Sequence, residues 1–276
     1  MKKSYSNRQS RRQMGLTLIE LVMVLVVLTA LAAMVVPIID NVRRTSDKAT
    51  ASAVMKQLLE NISLYRTTKG IYPSNFDSLL DDADQSVASS LAKSGKGISH
   101  ALTANEATSL TAIGIKQVQD LDVDNSLGLT YRNRPGNSGV SPRTLATGQQ
   151  VYVVTDGNIV RSVYPLEGSV AAANAGDYGL HSATGTITKA NGIRVKLVVF
   201  GVGPRSDLVG QTMMSPPAYS GVTAADTKYN RFLAIFAAYD GGVTTSKRRA
   251  QLKGAMDSTF DFLNQEINEV EENTIE

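Results

Sequence analysis

Between Leu16 and Ile39 the chain runs for 24 residues with one ionisable side chain, Glu20. At 1.5 Å per residue a helix of that length reaches about 36 Å, enough to cross a hydrocarbon core of about 30 Å. No other feature constrains the fold as tightly. A helix that is apolar on every side has no face to offer water, so lipid or other apolar helices must cover it. Lys2, Lys3, Arg8, Arg11 and Arg12 precede the run with no acid among them. Basic residues on that flank hold an N-terminus on the cytoplasmic side, which places everything after Ile39 outside. Glu20 is the anomaly, because an ionised carboxylate in hydrocarbon costs a few kcal/mol even on lenient scales and usually marks function.

The charge balance excludes one class of partner. The net charge is +3, yet from Leu16 onward there are 23 basic and 25 acidic residues. A nucleic-acid-binding body would need a basic face to neutralise phosphates, so no nucleic acid is expected. The chain has no cysteine, which removes disulfides, thiolate nucleophiles and Cys-based metal sites.

Three readings of the N-terminal run compete. A plain signal anchor explains its length and orientation and leaves Glu20 without a reason. A cleaved secretory signal draws support from Ala30-Leu31-Ala32, a small-residue cleavage site, and from Ser10-Arg11-Arg12, which partly resembles a twin-arginine motif. It would release an exported periplasmic enzyme or binding protein starting at Ala33. Against it, the acid falls at the start of the apolar core and the helical pattern continues well past the cut.

The third reading uses every odd feature. "MGLTLIELVMVLVVL", residues 14–28, resembles the N-terminal signal of type IV prepilins and type II secretion pseudopilins. The resemblance implies a basic leader, residues 1–15, removed by a membrane prepilin peptidase between Gly15 and Leu16, with N-methylation of Leu16. It makes Glu20 the fifth residue of the mature chain and the assembly residue, and Pro37 the site of a kink in the helix. The first mature residue of the family is usually phenylalanine; here it is Leu16. On this reading the freed amine, with an ordinary pKa of about 7.7–8.0, sits at the positive end of a helix dipole and needs a partner in lipid. A neighbouring subunit's Glu20 supplies it, and only one axial stagger brings amine and acid together.

Past Pro37 the chain turns polar without losing helical period. Val54, Leu58, Ile62 and Tyr65 mark one apolar face, Gly70 offers a stop and Pro73 bars continuation. Residues 16–39 are therefore expected as a transmembrane or filament-core helix, 40–70 as its amphipathic continuation, and 71–276 as a periplasmic globular domain. "YRTTKGIYP" followed by Leu79-Leu80 resembles the pattern after the long helix in major pseudopilins, which favours the secretion branch over type IV pili.

Within 71–276 the pattern predicts a loop or short helix over 81–100 and a capped helix opening at Thr103-Ala104-Asn105-Glu106. It predicts strands at 127–133, 151–154, 159–164 and 193–200, with a hairpin turn at Asp156-Gly157-Asn158. A surface loop over 201–225 and two closing helices follow, one lined by Tyr229, Phe232, Leu233 and Phe236, the other by Leu252, Met256, Phe260, Leu263 and Ile267. The expected fold is pilin-like α+β, a long N-terminal helix packed on a small antiparallel sheet with extra helices.

Catalytic motifs are sparse. "GVGPRSDLVG", residues 201–210, has Ser206 where a dinucleotide loop needs its third glycine. His181 beside Ser182 is adjacency, not a triad. Asp120, Asp122 and Asp124 alternate like the first half of a calcium loop, but Asn125 replaces the turn glycine and Tyr131 stands at the twelfth position. A solvated acidic loop is the preferred reading; no cofactor is expected, with calcium at these three aspartates as the one metal candidate. No enzymatic activity is expected. The resemblance implies a structural subunit of the bacterial inner membrane, single-pass, drawn into a periplasmic filament. The partners it implies are other pseudopilins, the prepilin peptidase, and the assembly platform with its ATPase.

Overall fold

The computed structural model describes residues 18–88, 91, 95–121, 142–164, 180–181, 183–189, 192–219, 229–242 and 248–262. The chain divides into two units, residues 1–46 and 47–276. Helix α1, Leu18–Lys69, contributes to both. Over Leu18–Val36 it is apolar and exposed; in the second unit it becomes part of a core.

The second unit is built on one ten-stranded mixed sheet. Its pivot is β8, Arg194–Gly201. Along one edge β8 pairs antiparallel with β9, Leu233–Gly241, which continues to β10, Gln251–Met256. Three strands share its other edge in turn. These are β7, Thr186–Thr188, opposite Arg194 to Lys196; β5, Gln150–Val154, opposite Val198 and Val199; and β1, Phe76–Asp81, at Gly201. Beyond β5 lies β2, Gly97–Ala101, and beyond β7 lies β6, Leu180–His181. β1 pairs in parallel with β3, Gln117–Leu121, which carries the two-residue β4, Arg143–Thr144. The fold is α+β, as the pattern predicts, but the sheet is neither small nor purely antiparallel.

Both faces of the sheet are covered. Val195, Leu197 and Val199 of β8 and Leu233, Ile235 and Ala237 of β9 enter one core. Val198 and Phe200, with Ala234, Phe236 and Ala238, enter the other. Two-sided burial explains why these strands read as unbroken apolar runs instead of alternating ones. Ala51, Met55, Leu58, Ile62 and Tyr65 of α1 close the face of Val198 and Phe200 together with α2, Ala104–Thr111. Phe76 stacks on Phe200 at 5.9 Å, and Tyr72 meets Phe236 edge-on at 5.5 Å. The opposite face is closed by Ile159 and Val160 of α3, Gly157–Val163, with Leu91, Phe260 and Phe262.

Several expectations hold. The apolar face of α1 is the one read from the sequence, with Val54 at its margin. Gly70 ends the helix at φ +75°, a left-handed conformation that glycine adopts freely. The Thr103 capping box opens α2.

Others are corrected. The second strand of the supposed 151–164 hairpin is α3, because the Asp156 carboxylate accepts the N–H groups of Asn158 and Ile159 and so caps a helix instead of turning a hairpin. The first closing helix gives way to the strand β9, and the described part of the second opens as the strand β10. Spacings of three and four among Tyr229, Phe232, Leu233 and Phe236 imitate a helix, but these residues come from a run buried on both faces, which carries no usable period. The segment from 201 to 219 is not merely a surface loop, since Val202, Ser206, Leu208 and Tyr219 are buried. Within 81–100 the sequence missed β2. Residues 127–133, Leu263 and Ile267 lie outside the described residues.

Candidate functional site

The region Leu18–Val36 of α1 is long and apolar enough to cross a membrane, and none of it is buried. Leu, Met and Ala favour the helix there. Where lipid surrounds a segment, a helix is also the way its backbone satisfies every N–H and C=O internally. Thr29, a polar residue midway, donates its hydroxyl to the Val26 carbonyl at 2.9 Å, so it adds no unsatisfied group. Glu20 stands in the first turn of α1, exposed. Helix α1 continues through Pro37 rather than ending there. Gly15 and Leu16 lie outside the described residues, as do Asp122 and Asp124.

Asp120 is committed elsewhere. It is buried in β3, where Arg143 grips it with two hydrogen bonds, Nε to Oδ2 at 2.7 Å and Nη2 to Oδ1 at 2.8 Å, and the Ser78 hydroxyl donates to Oδ1. A bidentate guanidinium occupies the oxygens a metal would need. Among the described residues no group of three or more His, Asp or Glu side chains could hold a metal ion.

Two further ionic clusters lie inside the second unit. The Glu106 carboxylate, wholly buried at the start of α2, accepts the Thr103 N–H at 2.7 Å and faces His100 Nε2 at 3.0 Å and Lys196 Nζ at 3.1 Å. Burial alone would raise its pKa. Hydrogen bonds from His100 and Thr103, with the charges of His100 and Lys196, outweigh that and bring it down to about 2. Elsewhere, Tyr229 Oη donates to Asp77 Oδ2 at 2.8 Å. Burial pushes Asp77 up to about 6 against the opposing pull of Arg231, Tyr229 and Arg205. The glycines of "GVG" belong to this second cluster. A Cβ on Gly203 would collide with the Asp77 carboxylate, and one on Gly201 with the Tyr229 hydroxyl. They permit close packing on a buried acid and cradle no phosphate.

The sequence reading missed both clusters, although signals were present. Lys196 is a lone cation inside "IRVKLVVF", a strand otherwise apolar in its interior, and a buried lysine demands an acidic partner. That partner, Glu106, had already been read as a capping residue. What could not be read was that a helix cap and a strand 90 residues apart meet. His181 stands in β6, and Ser182 lies outside the described residues.

These clusters tie secondary elements together. None of Asp77, Glu106, Asp120 or Lys196 lines either of the two cavities described for the unit, so a substrate has no route to them there. The exposed apolar helix with its acid is a candidate site of another kind. Set against family models, curated proteins and solved structures, the chain matches none.

Proposed function

We propose that this chain is a pilin-like structural subunit, processed by a prepilin peptidase and polymerised through its N-terminal helix into a type II secretion pseudopilus. One observation carries the reading: an apolar helix, Leu18–Val36, that nothing in the protein buries, with a carboxylate in its first turn. A plain membrane anchor has no use for that carboxylate. A filament core does, because the charge is neutralised by the freed amine of a neighbouring Leu16 when subunits stack, and the pairing is stronger in low dielectric than in water. On this proposal the subunit waits in the inner membrane with its N-terminus cytoplasmic and its folded unit periplasmic. Sibling pseudopilins and the assembly platform with its ATPase then draw it into the fibre. Its work is mechanical and needs no catalytic group of its own.

The decisive measurement is mass spectrometry of the N-terminal peptide of protein extracted from cells. Methylated Leu16 is the expected terminus, and Gly15→Leu is expected to leave an unprocessed precursor heavier by the 15-residue leader. A terminus at Ala33 instead identifies an exported soluble protein, and the proposal fails. Glu20→Val is expected to be cleaved normally and to lose incorporation into filaments. Long surface fibres in place of a periplasmic filament would assign the subunit to a type IV pilus.

A further inference from the structure

Where α1 stops, the second unit has a cavity of about 300 Å³, walled by the ends of α1, α2 and α3 and by β8, β9 and the start of β10. Among the described residues four cationic side chains, Arg66, Lys189, Arg248 and Arg249, line it, and no carboxylate does. Among the described residues Arg66, Lys189 and Arg249 take part in no ion pair.

Arg66 and Lys189 face tyrosine rings instead. The Arg66 guanidinium lies 4.8 Å over the Tyr72 ring and donates to its hydroxyl at 2.8 Å. Lys189 and Lys253 both approach the Tyr164 ring, each at 4.7 Å from its centre. A cation–π contact orients a positive charge without neutralising it. Arg66 and Lys189 are thus held in place and, like Arg249, make no ion pair, so the concave site carries positive charge that an entering anion would offset. A water molecule takes about 30 Å³ in the liquid, so the cavity has room for a small organic anion as well as for a bare ion.

We propose that this cavity is a binding site for a small oxyanion, a molecule bearing phosphate, sulfate or carboxylate, gripped by Arg66, Lys189 and Arg249 and flanked by Tyr72 and Tyr164. Guanidinium groups take such oxyanions bidentately, and the lysine adds a point charge. The site is independent of the filament reading and stands or falls without it.

The test uses the full chain in detergent micelles at low ionic strength, titrated calorimetrically with inorganic pyrophosphate and, in a second arm, with citrate. Saturable one-to-one binding of at least one probe is expected, and the stronger arm distinguishes phosphate from carboxylate chemistry. Arg66→Gln and Lys189→Gln are each expected to weaken it about tenfold, with thermal melting unchanged. Lys56→Gln, an exposed position elsewhere on α1, is expected to leave affinity as it was. If Arg66→Gln disturbs the end of the helix, Lys189→Gln decides alone. Absence of saturable binding with both probes overturns the proposal, as does equal affinity in the Lys189→Gln and Lys56→Gln proteins, which would reduce the effect to diffuse charge.

Discussion

Helix α1 contains two regions with different surfaces. Leu18–Val36 is apolar all round and wholly unburied. From Asp47 onward the same helix buries Ala51, Met55, Leu58, Ile62 and Tyr65 along one side, while Lys56, Glu60 and Arg66 stay exposed on others. The second region has found its partner within the chain and the first has not. Helix propensity does not separate them; the distribution of charge around the axis does. A charged residue every few positions confines burial to a stripe and lets a sheet cover it, whereas an uncharged cylinder demands an environment that is apolar everywhere. Stability of the folded unit should therefore reside in the second region, and any assembly function in the first.

The largest effect that could break this division is a matched pair of truncations. Ile62 is fully buried against the sheet, so Ile62→Ala is expected to cost about 2–5 kcal/mol through lost transfer energy and the cavity left behind. Leu25 is exposed, and Leu25→Ala is expected to change the unfolding free energy by less than about 0.5 kcal/mol. Urea unfolding of both full-length proteins in detergent, followed through the tyrosine near-UV signal, reads the difference. Equal losses would show that the apolar region supports the fold after all.

The two regions also differ in how far the sequence revealed them. The apolar run with its single acid, the stripe on α1, the stop at Gly70 and the Thr103 cap were legible because each is a local pattern. β9 and β10 were not, because burial on both faces erases the period that distinguishes strand from helix. The α3 error came from Asp156-Gly157-Asn158, where the same residues serve a hairpin turn or a helix cap, and the choice falls to Ile159 and Val160 packing on the sheet. The ionic clusters were illegible as clusters, since the Glu106–Lys196 and Asp77–Tyr229 contacts join residues distant in sequence.

The next effect sharpens the division by testing whether buried charge inside the folded unit is structural. Glu106→Gln strands Lys196, which is expected to cost about 3–5 kcal/mol at pH 7. The wild-type advantage has a defined pH window. Folding lowers the Glu106 pKa from 4.5 to about 2, so its ionised form contributes stability fully above the unfolded value and loses it as pH falls from about 4.5 toward 2. The gap between wild type and Glu106→Gln is expected to be flat from pH 7 to 5. It should then narrow by about 1 kcal/mol between pH 4.5 and 3.5. Asp77, whose pKa folding raises to about 6, acts in the opposite sense, its contribution falling as pH rises toward that value. It is common to both proteins and cancels in the difference. A gap that stays constant through pH 3.5 would mean that Glu106 is not held ionised by His100 and Lys196.

The smallest effect is at Thr103, and it sets the resolution at which the two regions can be told apart. Its hydroxyl accepts the Glu106 N–H at 3.3 Å while its own N–H donates to the Glu106 carboxylate at 2.7 Å, the two halves of a capping box. Thr103→Ala removes the first bond and keeps the second, because the second uses backbone. The expected loss is about 1 kcal/mol, measured in the same urea experiment. Since Glu106 serves the cap and the ion cluster together, Thr103→Ala and Glu106→Gln are expected to be non-additive, their combined cost falling short of the sum by at least about 0.5 kcal/mol. Strict additivity would separate cap from cluster and make the meeting of α2 with β8 a matter of packing alone.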